Sequence, residues 1–338
     1  MSLKFLGSLG SLGCLGAFGL LGAIASCTSH TGEGEMEPAA IGFHTHRIEE
    51  VGTRALISTT DDLRTLGFGV YGDKTVGTSS PSPQLVFNNI KVKVSGTSWD
   101  YEPTKYWDRT ADYRFVAYAP WTEAGFSYNA VNKELTISGI PQWQEVNSDV
   151  KDYLVAASAN SAENYLTTYG GTVNLEFRHI LSQLTVSISK VSPTATYTVT
   201  GLAIGQEGGV KVPITDTRTC TFDADGSGIG FSAHTTTGVQ QLLSEANISV
   251  KPSPTELARY LVAPFDLGDG NKMSLTLYYT QSGGTPKSVP VSLDISKFES
   301  NCSYVFLLRF DSGNDVQVQV VQVKDWETIE VTDDVYNW

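Results

Sequence analysis

At 338 residues the chain is long enough for two domains of ordinary size, each able to bury its own core. A formal net charge of -13 with no cluster of Lys or Arg sets nucleic acid aside, because phosphates would be repelled rather than steered in. Only 17% of residues are charged and the text is rich in Val, Thr, Ser, Tyr and Gly, the composition of strands joined by turns, so an all-β fold is expected.

The chain opens with a leader. Lys4 is the one charged residue before Glu33, and Phe5 to Ala25 is a stretch of Gly, Leu and Ala ending in Ile24-Ala25-Ser26-Cys27. A basic start, an apolar middle and small residues before a Cys make a secretory signal with a lipobox, so residues 1–26 read as a lipoprotein signal peptide and Cys27 as the lipidated residue. Cys14 competes, but its apolar run would be too short. An uncleaved membrane anchor is the alternative, since the stretch could span a bilayer. The glycines at 7, 10, 13, 16, 19 and 22 weaken such a helix. Thr28 to Pro38 is polar and carries Glu33, Glu35 and Glu37, so residues 27–40 read as a flexible tether.

Beyond the tether, apolar residues alternate at Ile41 and Phe43 and again at Leu66, Phe68 and Val70, predicting two strands joined across the polar stretch Ser58 to Arg64. Ile90, Val92 and Val94 predict a strand facing one way. The aromatic run Trp99 to Trp121 could form a stacking platform for sugars. Alternating aromatics in strands are more often the inner face of a sandwich, so these residues are expected in the core. Leu135 with Ile137, and Asp152 to Ala156, give further strands, followed by a polar loop ending at Gly170-Gly171.

In Val173 to Lys190, Val173, Leu175 and Phe177 share one parity, whereas Leu184, Val186 and Ile188 share the other. A strand cannot change faces without a bulge or turn, so the break at Arg178 to Gln183 marks the passage from one β-domain to the next. Strand-like pairs continue at Tyr197 and Val199, Leu202 and Ile204, Ile248 and Val250, Tyr260 and Val262, and Leu275 and Leu277. Val289 to Leu293 and Tyr304 to Phe310 follow. The run Val316, Val318, Val320 flips phase at Val320-Val321, which predicts a bulged terminal strand. An acidic tail, Glu327 to Trp338, completes the sequence.

No catalytic pattern emerges, and no enzyme activity or cofactor is expected. Asp223-Ala224-Asp225-Gly226-Ser227 lacks the later acidic ligands of a calcium loop and reads as a turn. His44 and His46 would share a strand face but have no third ligand, so no metal site is assigned. His179 reads as a structural imidazole. Cys220 and Cys302 could pair in an exported protein, and the sequence leaves that open.

Several of these segments together resemble the fimbrillin family, the subunits of type V pili in Gram-negative oral and gut anaerobes. The resemblance rests on Ile24-Ala25-Ser26-Cys27, Thr53-Arg54-Ala55, Tyr101-x-Pro103-x-x-Tyr106-Trp107, Tyr113-x-Phe115-x-Ala117-Tyr118-x-Pro120, Phe177-x-His179-x-Leu181-Ser182-x-Leu184 and Val323-x-x-Trp326. It implies two tandem transthyretin-like Greek-key β-sandwich domains, here 41–171 and 172–338, exported as a lipoprotein to the outer membrane. It also implies proteolysis after an Arg behind the first strand, with a terminal strand of another subunit filling the groove so opened. Arg54 is the matching cut site, with Arg47 and Arg64 as rivals. The expected function is thus a structural subunit of fimbriae, in shaft, tip or anchor position, with other pilin subunits and a host or bacterial surface as partners. The acidic tail departs from a plain shaft subunit. The alternative is a non-polymerising surface lipoprotein that binds glycan or host surface.

Overall fold

The computed structural model describes residues 38–45, 60–77, 82–122, 124–147, 150–205, 209–214 and 217–311, and the backbone of 316–325. Cys27, Arg47, Arg54 and Trp326 lie outside the described residues.

The first half contains β1 (Gly42–Thr45), α1 (Thr60–Leu66), β2 (Phe68–Val76), β3 (Gln84–Ser95), β4 (Ser98–Asp100), β5 (Ala111–Ala119), β6 (Phe126–Asn129), β7 (Glu134–Pro141), β8 (Trp143–Glu145), β9 (Leu154–Ser161), α2 (Ala162–Thr168), β10 (Thr172–Leu175) and β11 (Arg178–His179). The second half is all strand: β12 (Ser182–Lys190), β13 (Tyr197–Ile204), β14 (Val212–Pro213), β15 (Thr217–Asp223), β16 (Ile229–Phe231), β17 (Thr237–Gly238), β18 (Gln240–Leu243), β19 (Ile248–Ser249), β20 (Thr255–Val262), β21 (Phe265–Asp266), β22 (Ser274–Gln281), β23 (Lys287–Ser292), β24 (Lys297–Phe298), β25 (Cys302–Phe310) and β26 (Val316–Asp325). The fold is all-β, as the composition predicts, and its sheets pack as sandwiches.

Two short helices depart from the strand-and-loop reading. Thr60 to Leu66 is a single helix, so Leu66 is not a strand residue, and its side chain is exposed. Asp61 and Asp62 in its first turn and Arg64 in its last complement the helix dipole, while Leu63 is fully buried. Inside the expected polar loop, α2 is capped by Ser161, whose Oγ accepts from the Asn164 amide at 3.2 Å, and it buries Ala162 and Tyr165. Seven-residue helices complete too few turns to show an apolar period.

A six-stranded sheet, ordered β11-β9-β5-β2-β3-β4, organises the first half. One face carries Phe68, Val70, Phe87, Val92, Phe115 and Leu154, which form the first core with Ile41, Phe43, Tyr101, Trp107 and Tyr165. The opposite face carries Tyr71, Val116, Tyr118 and Val155, and the four-stranded sheet β16-β15-β7-β6 covers it. That second sheet is mixed in origin, since β7 pairs with β15 from beyond residue 200, for example Ile137 with Cys220. Coverage on both faces explains why β5 is continuously buried from Phe115 to Ala119 rather than alternating.

The third core lies between the sheet β26-β25-β12-β20-β8 and the sheet β18-β13-β22-β23, which β19 joins at β13. In it β12 pairs in parallel with β25 (Leu184 with Tyr304) and antiparallel with β20. Two phase flips have direct causes. Thr200 is an extra residue between the Val199–Tyr279 and Gly201–Tyr278 pairs, so Tyr197, Val199, Leu202 and Ile204 all face inward in one strand. On β26 the register passes from Gln322 opposite Val305 to Val320 opposite Phe306, leaving Val321 as the predicted bulge.

At Arg178 to Gln183 the chain changes sheets. Val173, Leu175 and Phe177 are buried in the first core, β11 adds to the edge of the six-stranded sheet, and β12 then enters the third core. Ile180 and Leu181 fill the space between. His179 is buried there with Nδ1 2.9 Å from Asp152 Oδ1, in keeping with its structural reading.

Candidate functional site

The arrangement with most bearing on function is built on β1. Residues at i and i+2 of a strand share a face, so Ile41, Phe43 and Thr45 turn inward together and all three are buried, while His44 is exposed. Phe43 is the centre of this insertion. Its ring lies edge-on to Phe68 (6.2 Å between centroids), Phe87 (5.5 Å), Tyr101 (5.5 Å) and Phe115 (5.8 Å). Burying such a side chain stabilises by about 1.5–3 kcal/mol, and each edge-to-face pair adds about 0.5–1.5 kcal/mol.

The backbone of β1 is held on one side, and that of the residues just before it on the other. It pairs in parallel with β10, Gly42 opposite Thr172 to Thr45 opposite Leu175. On the other side the Ile41 amide donates to Lys105 O at 2.8 Å, and the Trp107 amide donates to Ala39 O at 3.0 Å. Side chains close the ends: Tyr101 donates its hydroxyl to Ile41 O at 2.7 Å, and Trp99 Nε1 donates to Thr45 Oγ1 at 3.1 Å. Gly171 O accepts from both the Gly42 amide (3.1 Å) and Trp107 Nε1 (3.0 Å). Gly171 sits at φ +81°, a conformation other residues rarely adopt, which is why a glycine introduces β10. Burial pushes the Tyr101 phenol up, so it stays a neutral donor toward Ile41.

The part of the aromatic run from Trp99 to Phe115 therefore packs in this core, whereas Tyr118 and Trp121 belong to the second core. Tyr101, Trp107, Tyr113 and Phe115 are core residues rather than an exposed platform, whereas Tyr106 is half exposed beside Ala40. Sequence reasoning found these residues but not their common task, because the ring contacts of Phe43 reach 25 to 72 positions along the chain. The alternation Ile41-x-Phe43 was the available signal.

Of the proposed processing sites only Arg64 is described. It lies on α1, with Nη2 donating to Gly96 O at 3.4 Å. Cys27, Arg47 and Arg54 flank β1 in sequence outside the described residues. At the other end of the chain, β26 forms the outer strand of its sheet, paired on its described side with β25 from Cys302–Asp325 to Phe310–Val316. Cys220 and Cys302 are not joined by a disulfide and are buried in separate cores.

A family model described as fimbrillin-like matches residues 53–326. No curated protein matches the sequence. Among solved structures, a fimbrial protein from Bacteroides vulgatus is similar at 16% identity with a TM-score of 0.62, covering 85% of this chain and 99% of that one. The fimbrial anchor protein Mfa2 from Porphyromonas gingivalis aligns over 87% of this chain and 100% of its own, at 12% identity and a TM-score of 0.33. At such identity the first of these is a likeness of fold.

Proposed function

The chain belongs to the fimbrillin-like family, and from that membership we propose that it is a structural subunit of surface fimbriae whose assembly exchanges β1 for a strand of another subunit. The family supports the coarser statement directly: a fimbrial or adhesive protein of the cell surface. The exchange reading rests on one observation, the insertion of Ile41 and Phe43 into a groove whose remaining walls come from distant segments. A four-residue parallel ladder is weak by itself, so side-chain insertion supplies most of the hold. Any strand with apolar residues at alternate positions could replace it, and Val316, Val318 and Val320 provide such a pattern.

Release of β1 requires a cut behind it. In the proposed pathway Cys27 carries the lipid during export to the outer membrane, and an Arg-specific protease then cuts after Arg54. Arg47 is the nearer rival. Arg64 is the poorest candidate, because a protease takes an extended substrate and α1 is folded with Leu63 buried. The domains of this reading are 41–171 and 172–338. The test is to treat the purified precursor with an Arg-specific protease and run it unboiled on a denaturing gel, beside Arg54→Ala. A ladder from the parent chain, reduced in the variant, is expected. Cleavage after Arg54 with no ladder under any condition would overturn the polymerising role. The N-terminal residue of cell-derived protein separates the stages: lipidated Cys27 before processing and Ala55 after it.

A further inference from the structure

Beneath the seam between the second and third cores lies an open cleft of about 560 Å³. Its polar wall carries Arg178, Arg218 and Lys297, and its apolar wall Phe231, Phe265 and Phe298. Both arginines are held in place. Arg178 lies over the Phe222 ring at 5.2 Å and donates Nη2 to Gly226 O at 2.7 Å, with no carboxylate in ion-pair contact among the described residues. Arg218 donates Nε to Ser232 O at 2.6 Å and Nη1 to Gln142 Oε1 at 2.7 Å, and it is almost wholly buried. Asp266 and Glu299 share the rim, Glu299 paired with Lys297 at 2.7 Å, so three cations face two carboxylates in a chain of net charge -13. Such a surface favours an anionic ligand with apolar side chains, and preset guanidinium groups lose little entropy on binding it.

A segment of that chemistry follows β26 in sequence. β26 runs antiparallel to β25 and its last residue, Asp325, lies opposite Cys302, two positions from Ser300 on the cleft wall. Residues 327–338 contain Glu327, Glu330, Asp333 and Asp334 with no Lys or Arg, interleaved with Ile329, Val331, Val335, Tyr336 and Trp338. They also lie beyond the part of the chain matched by the family model, which ends at residue 326. A dozen extended residues reach about 40 Å, enough to cross a cleft of this size. We infer that this cleft is a binding site for an acidic, aromatic-bearing peptide, and that its occupant is residues 327–338 of the same chain. The docked tail fastens the end of β26 to its own sheet, whether or not that strand is ever donated to another subunit.

Carbodiimide coupling of the full-length protein, followed by peptide mass spectrometry, tests this. Lys297 should join Glu327, Glu330, Asp333 or Asp334 within single chains, as shown with mixed light and heavy isotope-labelled protein. The yield should fall about five-fold or more at 1 M salt, where screening acts within about 3 Å. Coupling of Lys74 to Asp108, 2.8 Å apart, reports that the folded chain reacts. In Lys297→Gln, coupling of the tail should vanish while the Lys74 control persists. The inference is overturned if Lys297 couples only to Glu299, if tail carboxylates couple evenly to surface lysines, or if the tail joins only differently labelled chains. None of these outcomes depends on ladder formation, so strand exchange and tail docking succeed or fail separately.

Discussion

Single side chains show how burial and charge set this protein's chemistry. Cys220 lies at the centre of the seam between the six-stranded and four-stranded sheets, and desolvation pushes its thiol up to about 12. The thiolate is the reactive form, so Cys220 should resist iodoacetamide at pH 8 in the folded protein and react fully in urea. Rapid labelling of native protein at Cys220 would contradict the packing described. Asp108 has the opposite setting. Lys74 Nζ donates to it at 2.8 Å and Thr110 donates from both amide and hydroxyl, which together hold its carboxyl down at about 2. A carboxylate depressed in the folded state adds stability that is present above its unfolded value, about 3.9, and is lost as pH falls toward the folded value. Asp108→Asn should therefore flatten the loss of stability between about pH 4 and about pH 2, read from urea midpoints across that range. An unchanged acid limb would exclude this carboxylate as a contributor. Neither shift is visible in sequence: Cys220 reads as one more strand residue, and Lys74 is 34 positions from its partner.

At the scale of elements, β1 is the informative case. Its four residues read as an ordinary strand from the alternation Ile41-x-Phe43, but its partner β10 is 130 positions away and parallel to it. Period-two reasoning predicts which side chains turn inward and is silent on which strand lies alongside. Phe43→Ala in the uncleaved precursor should cost about 3–5 kcal/mol, seen as a lower urea midpoint. The same urea midpoint, measured on protein that begins at Ala55, provides the baseline without β1. If Phe43→Ala leaves the precursor's midpoint unchanged, β1 is not a stabilising insert and the groove reading fails with it. Bulges were legible where they flipped a long alternating run, as at Val321. The one at Thr200 was hidden because the apolar pairs on either side read as two separate strands. Both helices were missed for the corresponding reason: with one or two buried residues each, α1 and α2 depend on tertiary contact more than on their own period.

For the whole molecule, the proposed exchange would link processing to assembly through exposed apolar surface. Removing the chain up to Arg54 would uncover Phe68, Phe87, Tyr101 and Phe115 together, a contiguous aromatic surface of the kind monomers rarely expose. Processed monomer should accordingly bind an anilinonaphthalene sulfonate dye several-fold more strongly than precursor, and assembled material should lose that binding. Equal dye binding before and after cleavage would mean that the groove closes or that β1 stays bound. Sequence by itself determined the all-β class, the inward set of residues along most strands, the change of sheet near His179 and the family motifs, because alternation and composition are local properties. Tertiary structure alone decided that Phe68, Phe87, Tyr101 and Phe115 form the walls around Phe43, and that β7 and β15 share a sheet. It also decided that Arg178, Arg218 and Lys297 line one cleft. Each of these is a meeting of segments far apart in the chain, and its selection is made by the free energy of packing the whole, which no local pattern records.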